Sequence, residues 1–144
     1  MWIAFAEKED LEEILAMEKE CFGAQAWTRE MVINDFERRS SYILCRSDQD
    51  EYIGYLCILE LDTECEILRL GVRKNFRKQG YAKSLLEFLF DHCINTKKEK
   101  IYLEVSSENA VAIKLYENLG FNCINIRKNY YKQGDDARIY IKLL

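Results

Sequence analysis

The residues most able to do chemistry lie in the stretch Ile67 to Lys83, ILRLGVRKNFRKQGYAK, where an apolar strand pattern runs into a basic, glycine-punctuated turn and then a helix. Within it, Arg77, Lys78, Gln79, Gly80, Tyr81 and Ala82 spell R-x-x-G-x-A. Gly80 and Ala82 are small enough for backbone to approach a bulky anion. The free N–H groups that open the helix would face that anion with the positive end of the helix dipole. Arg77, Lys78 and Lys83 add charge beside it. Neither G-x-x-x-x-G-K-S/T nor a G-x-G-x-x-G after a strand is present, so the pattern predicts a pyrophosphate on a ligand bound by neither of the two familiar nucleotide loops. The same residues also describe a solvated turn with a good helix start, and this segment alone does not separate the two readings.

At 144 residues the chain has the length of one ordinary domain, so residues 1–144 are expected to form a single domain with a substantial core. A composition of 49% hydrophobic and 32% charged residues describes a globular chain. A net charge of −4 and a pI near 5.2 argue against a nucleic-acid partner held by bulk charge. The first residues, MWIAFAEKEDLEEI, lack the pattern of a secretion signal, and no apolar run approaches the roughly eighteen residues of a membrane span. A soluble, cytoplasmic protein with no membrane partner is the expectation. Six scattered cysteines, with no C-x-x-C pair and His92 as the sole histidine, predict neither a disulfide framework nor a metal site, and they read as small buried hydrophobes. One histidine also makes a Cys-His nucleophile hard to build.

The elements that must position the turn follow from periodicity. Trp2 to Ala6 reads as a strand, and Asp10 offers an N-cap to a helix carrying Leu11, Ile14, Leu15 and Glu18 at helical spacing, with Met17 and Cys21 near the same side. Phe22 to Trp27 connects to a second helix, capped by Thr28 and running to about Arg38. Tyr42 to Arg46, Tyr52 to Leu61 and Cys65 to Val72 read as three successive antiparallel strands, the first two joined by the turn SDQDE. Gly80 to Thr96 is the clearest helix, and with Lys100 to Val105 it completes a right-handed parallel crossover. Asn109 to Leu119 is a last helix ended by Gly120, and Phe121 to Tyr130 with Ala137 to Leu143 forms a closing hairpin around KQGDD.

This order of elements, the R-x-x-G-x-A turn, LEVSSENAVAIKLYENLGF from Leu103 to Phe121, and Asn129-Tyr130-Tyr131 together resemble the GNAT acetyltransferases, and within them the RimI-like ribosomal-protein-alanine N-acetyltransferases. The resemblance covers nearly the whole chain and is strongest from Ile67 to Tyr131. It implies an α/β GNAT fold, with a mixed central sheet of about seven strands splayed at strands four and five and helices on both faces. It further implies acetyl-CoA as acetyl donor, its pantetheine arm along Leu70-Gly71-Val72 in the manner of an added strand and its pyrophosphate on Lys78 to Lys83. Gly71 suits close approach of the ligand and equally suits a β-bulge. Arg69 and Ala82 stand where the family often has asparagine and a second glycine.

By the same resemblance Glu104 is the general base and Tyr116 the general acid, with no metal. A base is needed because an α-amine, with a pKa of roughly 7.7 to 8.0, is largely protonated near neutral pH and cannot attack a thioester in that form. Periodicity alone makes Glu104 a solvated carboxylate opposite the apolar side of its strand, and Tyr116 a core aromatic. Asn109 carries a CoA contact by resemblance and a helix N-cap by spacing. Trp27, Tyr130 and Tyr131, in the loops Phe22 to Trp27 and Tyr130 to Ala137, are expected to wall the substrate peptide; as ordinary aromatics they are packing. The implied reaction is direct acetyl transfer to a protein N-terminal amine, the alanine of a small-subunit ribosomal protein. Another amine (a different protein N-terminus, a lysine or a small molecule) is the alternative acceptor, and a noncatalytic acyl-CoA-binding module is the alternative of a different class.

Overall fold

The structure, a computed structural model, describes residues 1–38 and 40–144. The described elements follow in the order β1 (Trp2–Phe5), α1 (Leu11–Phe22), α2 (Arg29–Arg38), β2 (Ser41–Arg46), β3 (Tyr52–Glu60), β4 (Glu64–Val72), α3 (Tyr81–Asn95), β5 (Lys100–Ser106), α4 (Ala110–Asn118), β6 (Asn122–Lys132) and β7 (Asp135–Leu143). The strands form a seven-stranded mixed sheet in the order β1-β2-β3-β4-β5-β7-β6. β1, β2 and β3 pair antiparallel, β4 and β5 pair parallel, and β7 pairs antiparallel with both β5 and β6. The parallel register runs from Glu64 opposite Lys100 to Ile67 opposite Leu103 and ends there, short of Val72 and Ser106. That ending falls at the expected parting of strands four and five.

The chain forms two compact units, Met1–Glu60 with Leu68–Asp91, and Leu61–Ile67 with His92–Leu144. In the first, Ile14 and Met17 of α1 meet Val32 of α2 and the sheet residues Tyr42, Leu44, Tyr55 and Cys57 in one buried cluster. Thr28 caps α2 as its sequence position predicts, its Oγ1 accepting from the Met31 N–H at 3.2 Å. Asp10 takes the N-cap position of α1 as expected, but its side chain makes no cap bond there. Its Oδ2 accepts from the Glu7 N–H at 2.8 Å, closing the short turn before α1, and its Oδ1 accepts from the Tyr52 hydroxyl at 2.6 Å. The 3-10 turn Lys8–Asp10 leads directly into α1.

The second unit is built on β5, where Ile101, Leu103 and Val105 are buried while Tyr102 and Glu104 alternate onto the less covered face. Helix α4 ends in a Schellman motif: the Gly120 N–H reaches the Glu117 carbonyl at 3.1 Å and the Phe121 N–H reaches the Tyr116 carbonyl at 3.0 Å, with Gly120 at φ 92°. The closing hairpin is tighter than the sequence suggests. β6 continues through Lys132 and β7 starts at Asp135, so only Gln133 and Gly134 lie outside the strands, and the stretch Tyr130 to Ala137 is mostly strand. Gly134, at φ 85°, makes that tight turn accessible, and Lys132 pairs with Asp135 at the hairpin tip.

Four of the six cysteines (Cys45, Cys57, Cys65 and Cys93) are buried, Cys21 is half-buried and Cys123 exposed, and none of them is in a disulfide. No helix among the described residues is long and apolar enough to cross a membrane. Among them, too, no three His, Cys, Asp or Glu side chains are grouped so as to hold a metal ion.

Candidate active site

In the first unit the R-x-x-G-x-A turn joins β4 to α3 with two residues in the left-handed region, Lys78 at φ 62° and Gly80 at φ 87°. α3 begins at Tyr81, one residue later than predicted, because Gly80's backbone cannot continue a right-handed helix; its carbonyl still accepts the first helical bond, from Ser84 N–H at 3.0 Å. The N–H groups of Tyr81, Ala82 and Lys83 precede any carbonyl they could use within the helix and are therefore open to an acceptor from outside. A Cβ on Gly80 would meet nothing within 4 Å, so the space over the turn is clear. Arg77 and Gln79 brace the turn from within, Arg77 Nε donating to the Val72 carbonyl at 2.8 Å and Gln79 Nε2 to the Asn75 carbonyl at 3.2 Å. Lys78 and Lys83 are exposed cations, and Tyr81 packs edge-on against Phe76. This arrangement of open N–H groups, clear backbone and two exposed ammonium groups fits a diphosphate.

Glycine at position 71 has an internal reason. A Cβ there would lie 2.8 Å from the Tyr55 ring and 3.3 Å from the Cys21 sulfur. Tyr55 cannot yield, because its hydroxyl donates to Glu18, a carboxylate on α1 with 1% exposure. Glu18 also accepts from the Trp27 N–H at 2.6 Å and from Arg69, whose Nε lies 3.1 Å away and whose Nη2 makes the closer contact. Burial by itself would raise the Glu18 carboxyl, but the hydrogen bonds from Arg69, Tyr55 and the Trp27 N–H, with the Arg69 charge, outweigh it and hold the group below the usual carboxylate range. The Arg69 guanidinium lies 3.8 Å from the Phe22 ring centre and 4.4 Å from that of Trp27, and its Nη2 donates to the Gln25 carbonyl at 3.0 Å. Thus the connection from Phe22 to Trp27, expected to wall a peptide, is tied to the core at both ends and in the middle. Neither Glu18 nor Arg69 stands out as functional in the sequence. The available signal was Glu18 itself, a carboxylate in register with the apolar side of α1.

In the second unit Glu104 sits opposite Ile139 of β7, half-buried, with its Oε1 3.3 Å from Arg127 Nη1 of β6. Arg127 stands opposite Ala137, two residues from Ile139 on the same face, so the ion pair crosses β7 diagonally. The same guanidinium lies 5.4 Å from the Tyr130 ring centre. Tyr130 and Tyr131 are both exposed and meet edge to face at 5.2 Å. Burial first and the negative charge of Glu104 second raise the Tyr131 phenol above its ordinary range. Beyond Arg127 the β6 register breaks, so residues 128–131 stand against Asp136 alone. Asn129 takes φ 53°, its N–H donating to Asp136 Oδ1 at 2.8 Å and its Oδ1 accepting from the Gly134 N–H at 2.7 Å. This irregularity re-aims the two tyrosines. Glu104, Tyr130 and Tyr131 are thus brought together, and Arg127, which the sequence did not single out, joins them.

Tyr116 lies on the inner side of α4, 6% exposed, its ring 5.5 Å from Phe121 in an edge-to-face contact. That contact joins the two residues whose backbones close the Schellman motif, so the helix stop at Leu119-Gly120-Phe121 also fixes the tyrosine ring. Burial pushes its phenol up to about 12, and no hydrogen bond to it occurs among the described residues. Asn109 is the N-cap of α4, its Oδ1 accepting from the Ala112 N–H at 3.2 Å, as spacing predicts.

Residues 9–121 match the acetyltransferase (GNAT) family, and the chain belongs to that family. It is an acetyl-CoA-dependent N-acetyltransferase of the RimI-like kind. It is similar to the [ribosomal protein bS18]-alanine N-acetyltransferase of Haemophilus ducreyi, 35% identical over 113 residues that cover 78% of this chain and 77% of the relative. The enzyme of the same name from Escherichia coli K12 is 40% identical over 72 residues, about half of either chain at 50% and 49%. The crystal structure of the ribosomal-protein-S18-alanine N-acetyltransferase from Escherichia coli superposes with a TM-score of 0.90 at 27% identity, covering 99% of this chain and 92% of that one.

Proposed function

We propose that residues 1–144 act as one N-acetyltransferase domain that acetylates the N-terminal α-amine of a protein, the alanine of a small-subunit ribosomal protein, in the cytoplasm. The observation that carries the reading is Glu104: a carboxylate 30% exposed, on a strand otherwise alternating with core, beside two exposed tyrosines, in a member of an acetyltransferase family. The names of the relatives support the acceptor.

In this reading the turn residues Lys78 to Lys83, with Arg77 bracing them, hold the diphosphate of acetyl-CoA. Leu70, Gly71 and Val72 receive its pantetheine arm, and a backbone N–H of that strand donates to the thioester oxygen as charge develops there. Asn109 contacts CoA with the part of its amide that the cap leaves over. Glu104 takes a proton from the substrate ammonium, directly or through water. The freed amine attacks the thioester carbon, a C–N bond forms, and the C–S bond breaks as the oxyanion collapses, the nitrogen giving up its second proton to water so that a neutral amide and a thiolate result. Tyr116 donates to the departing sulfur. A phenol near 12 remains protonated at neutral pH. Its complete proton transfer to a thiolate of ordinary basicity, about 8.5, is uphill, so its hydrogen bond does most of the stabilising. No acetyl-enzyme forms. Trp27, Tyr130 and Tyr131 wall the peptide end.

The test offers acetyl-CoA with an alanine-first peptide, an N-terminally blocked peptide containing lysine, and a polyamine, and reads the products by mass spectrometry. Acetylation of the α-amine alone is expected; modification of lysine or polyamine alone overturns the acceptor. The ribosomal proteins of cells lacking this chain should include one alanine N-terminus that has lost its acetyl group.

A further inference from the structure

Resting on that reading of Glu104, we infer that Arg127 occupies the seat of the substrate's α-ammonium: a cation-binding subsite formed by the Glu104 carboxylate and the Tyr130 ring. The two walls are those that recognise ammonium groups generally, an anion within ion-pair distance and an aromatic face. Here they lie 3.3 Å and 5.4 Å from the same guanidinium. Arg127 is not buried into place. Its side chain is 51% exposed and Glu104's 30%, and an exposed pair of this kind is worth at most about fivefold in an equilibrium. An incoming cation can therefore displace it at small cost. The amine thus binds in its protonated form, Arg127 swings toward solvent, and deprotonation follows on the enzyme. Arg127 is a built-in competitor that keeps the carboxylate paired until substrate arrives.

The experiment measures peptide binding by calorimetry in the presence of CoA, which permits no turnover, near pH 6, where an α-amine is almost wholly ammonium. An alanine-first peptide is compared with its lactyl-first twin, in which a hydroxyl replaces the ammonium. The alanine peptide should bind at least about tenfold more tightly. Arg127→Met should tighten it a further two- to fivefold without changing the lactyl peptide, and Arg127→Gln should do the same. Arg127→Lys, which restores a competing cation, should return it to the wild-type value. Equal binding of the two peptides, or an alanine affinity unchanged or weakened in Arg127→Met and Arg127→Gln, overturns the inference. If wild-type protein acetylates the alanine peptide while these contrasts are absent, the proposed function stands and the subsite falls. If it acetylates no alanine peptide, the acceptor assignment fails on its own.

Discussion

Two glutamate–arginine pairs, each with its guanidinium against aromatic rings, occupy the two units of this protein and do opposite things. Glu18 and Arg69 are almost sealed from water, and the carboxylate accepts from Arg69, Tyr55 and the Trp27 N–H together. Glu104 and Arg127 stand half-open on a sheet face, joined by one contact at 3.3 Å. The first carboxylate cannot exchange partners without leaving a buried charge unpaired, a loss of several kcal/mol, whereas the second can exchange at almost no cost. Identical side-chain chemistry therefore supplies a rigid fastening in one place and an exchangeable ion pair in the other, and burial is what separates them.

The comparison can be broken most forcefully at the open pair. Glu104→Gln should lower the rate of acetyl transfer by about 10²–10³-fold while leaving the thermal midpoint nearly unchanged; a rate near wild type would remove Glu104 as the base. At the closed pair the expected loss is in stability. Glu18→Gln should cost about 3 kcal/mol by denaturant titration, since it leaves the Arg69 charge without its counterion. Because the Glu18 carboxyl is held below its ordinary value of 4.5, against the upward push of burial, its contribution is complete above that pH and fades as acid protonates the folded form. The variant should lack that part of the acid-induced decline.

Smaller effects sharpen the contrast within the second unit. Tyr116→Phe should slow turnover about tenfold with little change in CoA affinity. A phenol raised to about 12 stays protonated, so wild-type turnover should show no loss between about pH 8 and 10 traceable to this group. Gly120→Ala places a Cβ at φ 92°, 2.9 Å from Lys142 Nζ, and should cost about 1 kcal/mol of stability. Since the same helix stop seats Tyr116, kcat should fall with it; an unchanged kcat would separate the motif from the tyrosine.

Much of the fold was legible because its signals are local. Thr28 caps α2, Asn109 caps α4 and Gly120 ends it, each acting within a few residues of itself. The alternation of Ile101, Leu103 and Val105 with Tyr102 and Glu104 assigns faces on β5 from parity alone. The R-x-x-G-x-A turn is equally local, and its open helix start lies one residue from where the pattern puts it. Asp10 takes the N-cap position that its place in the sequence predicts, but its carboxylate goes to the preceding turn and to Tyr52, which is distant in sequence, and so makes no cap bond. The hairpin tip misled because its polar residues read as loop while its backbone hydrogen bonds extend the strands.

What the amino-acid order determined by itself was therefore the set of elements, their caps, the basic turn and the family pattern carried by Glu104, Tyr116 and Asn109. What only the tertiary structure decided was partnership. Glu18 meets Arg69 across 51 residues, Glu104 meets Arg127 across an intervening strand, and Gly71 is glycine because of the Tyr55 ring. Local propensity acts over a turn or two of chain, while the energy of a charge depends on how much water and which counterion surround it, and those are set only when distant segments pack.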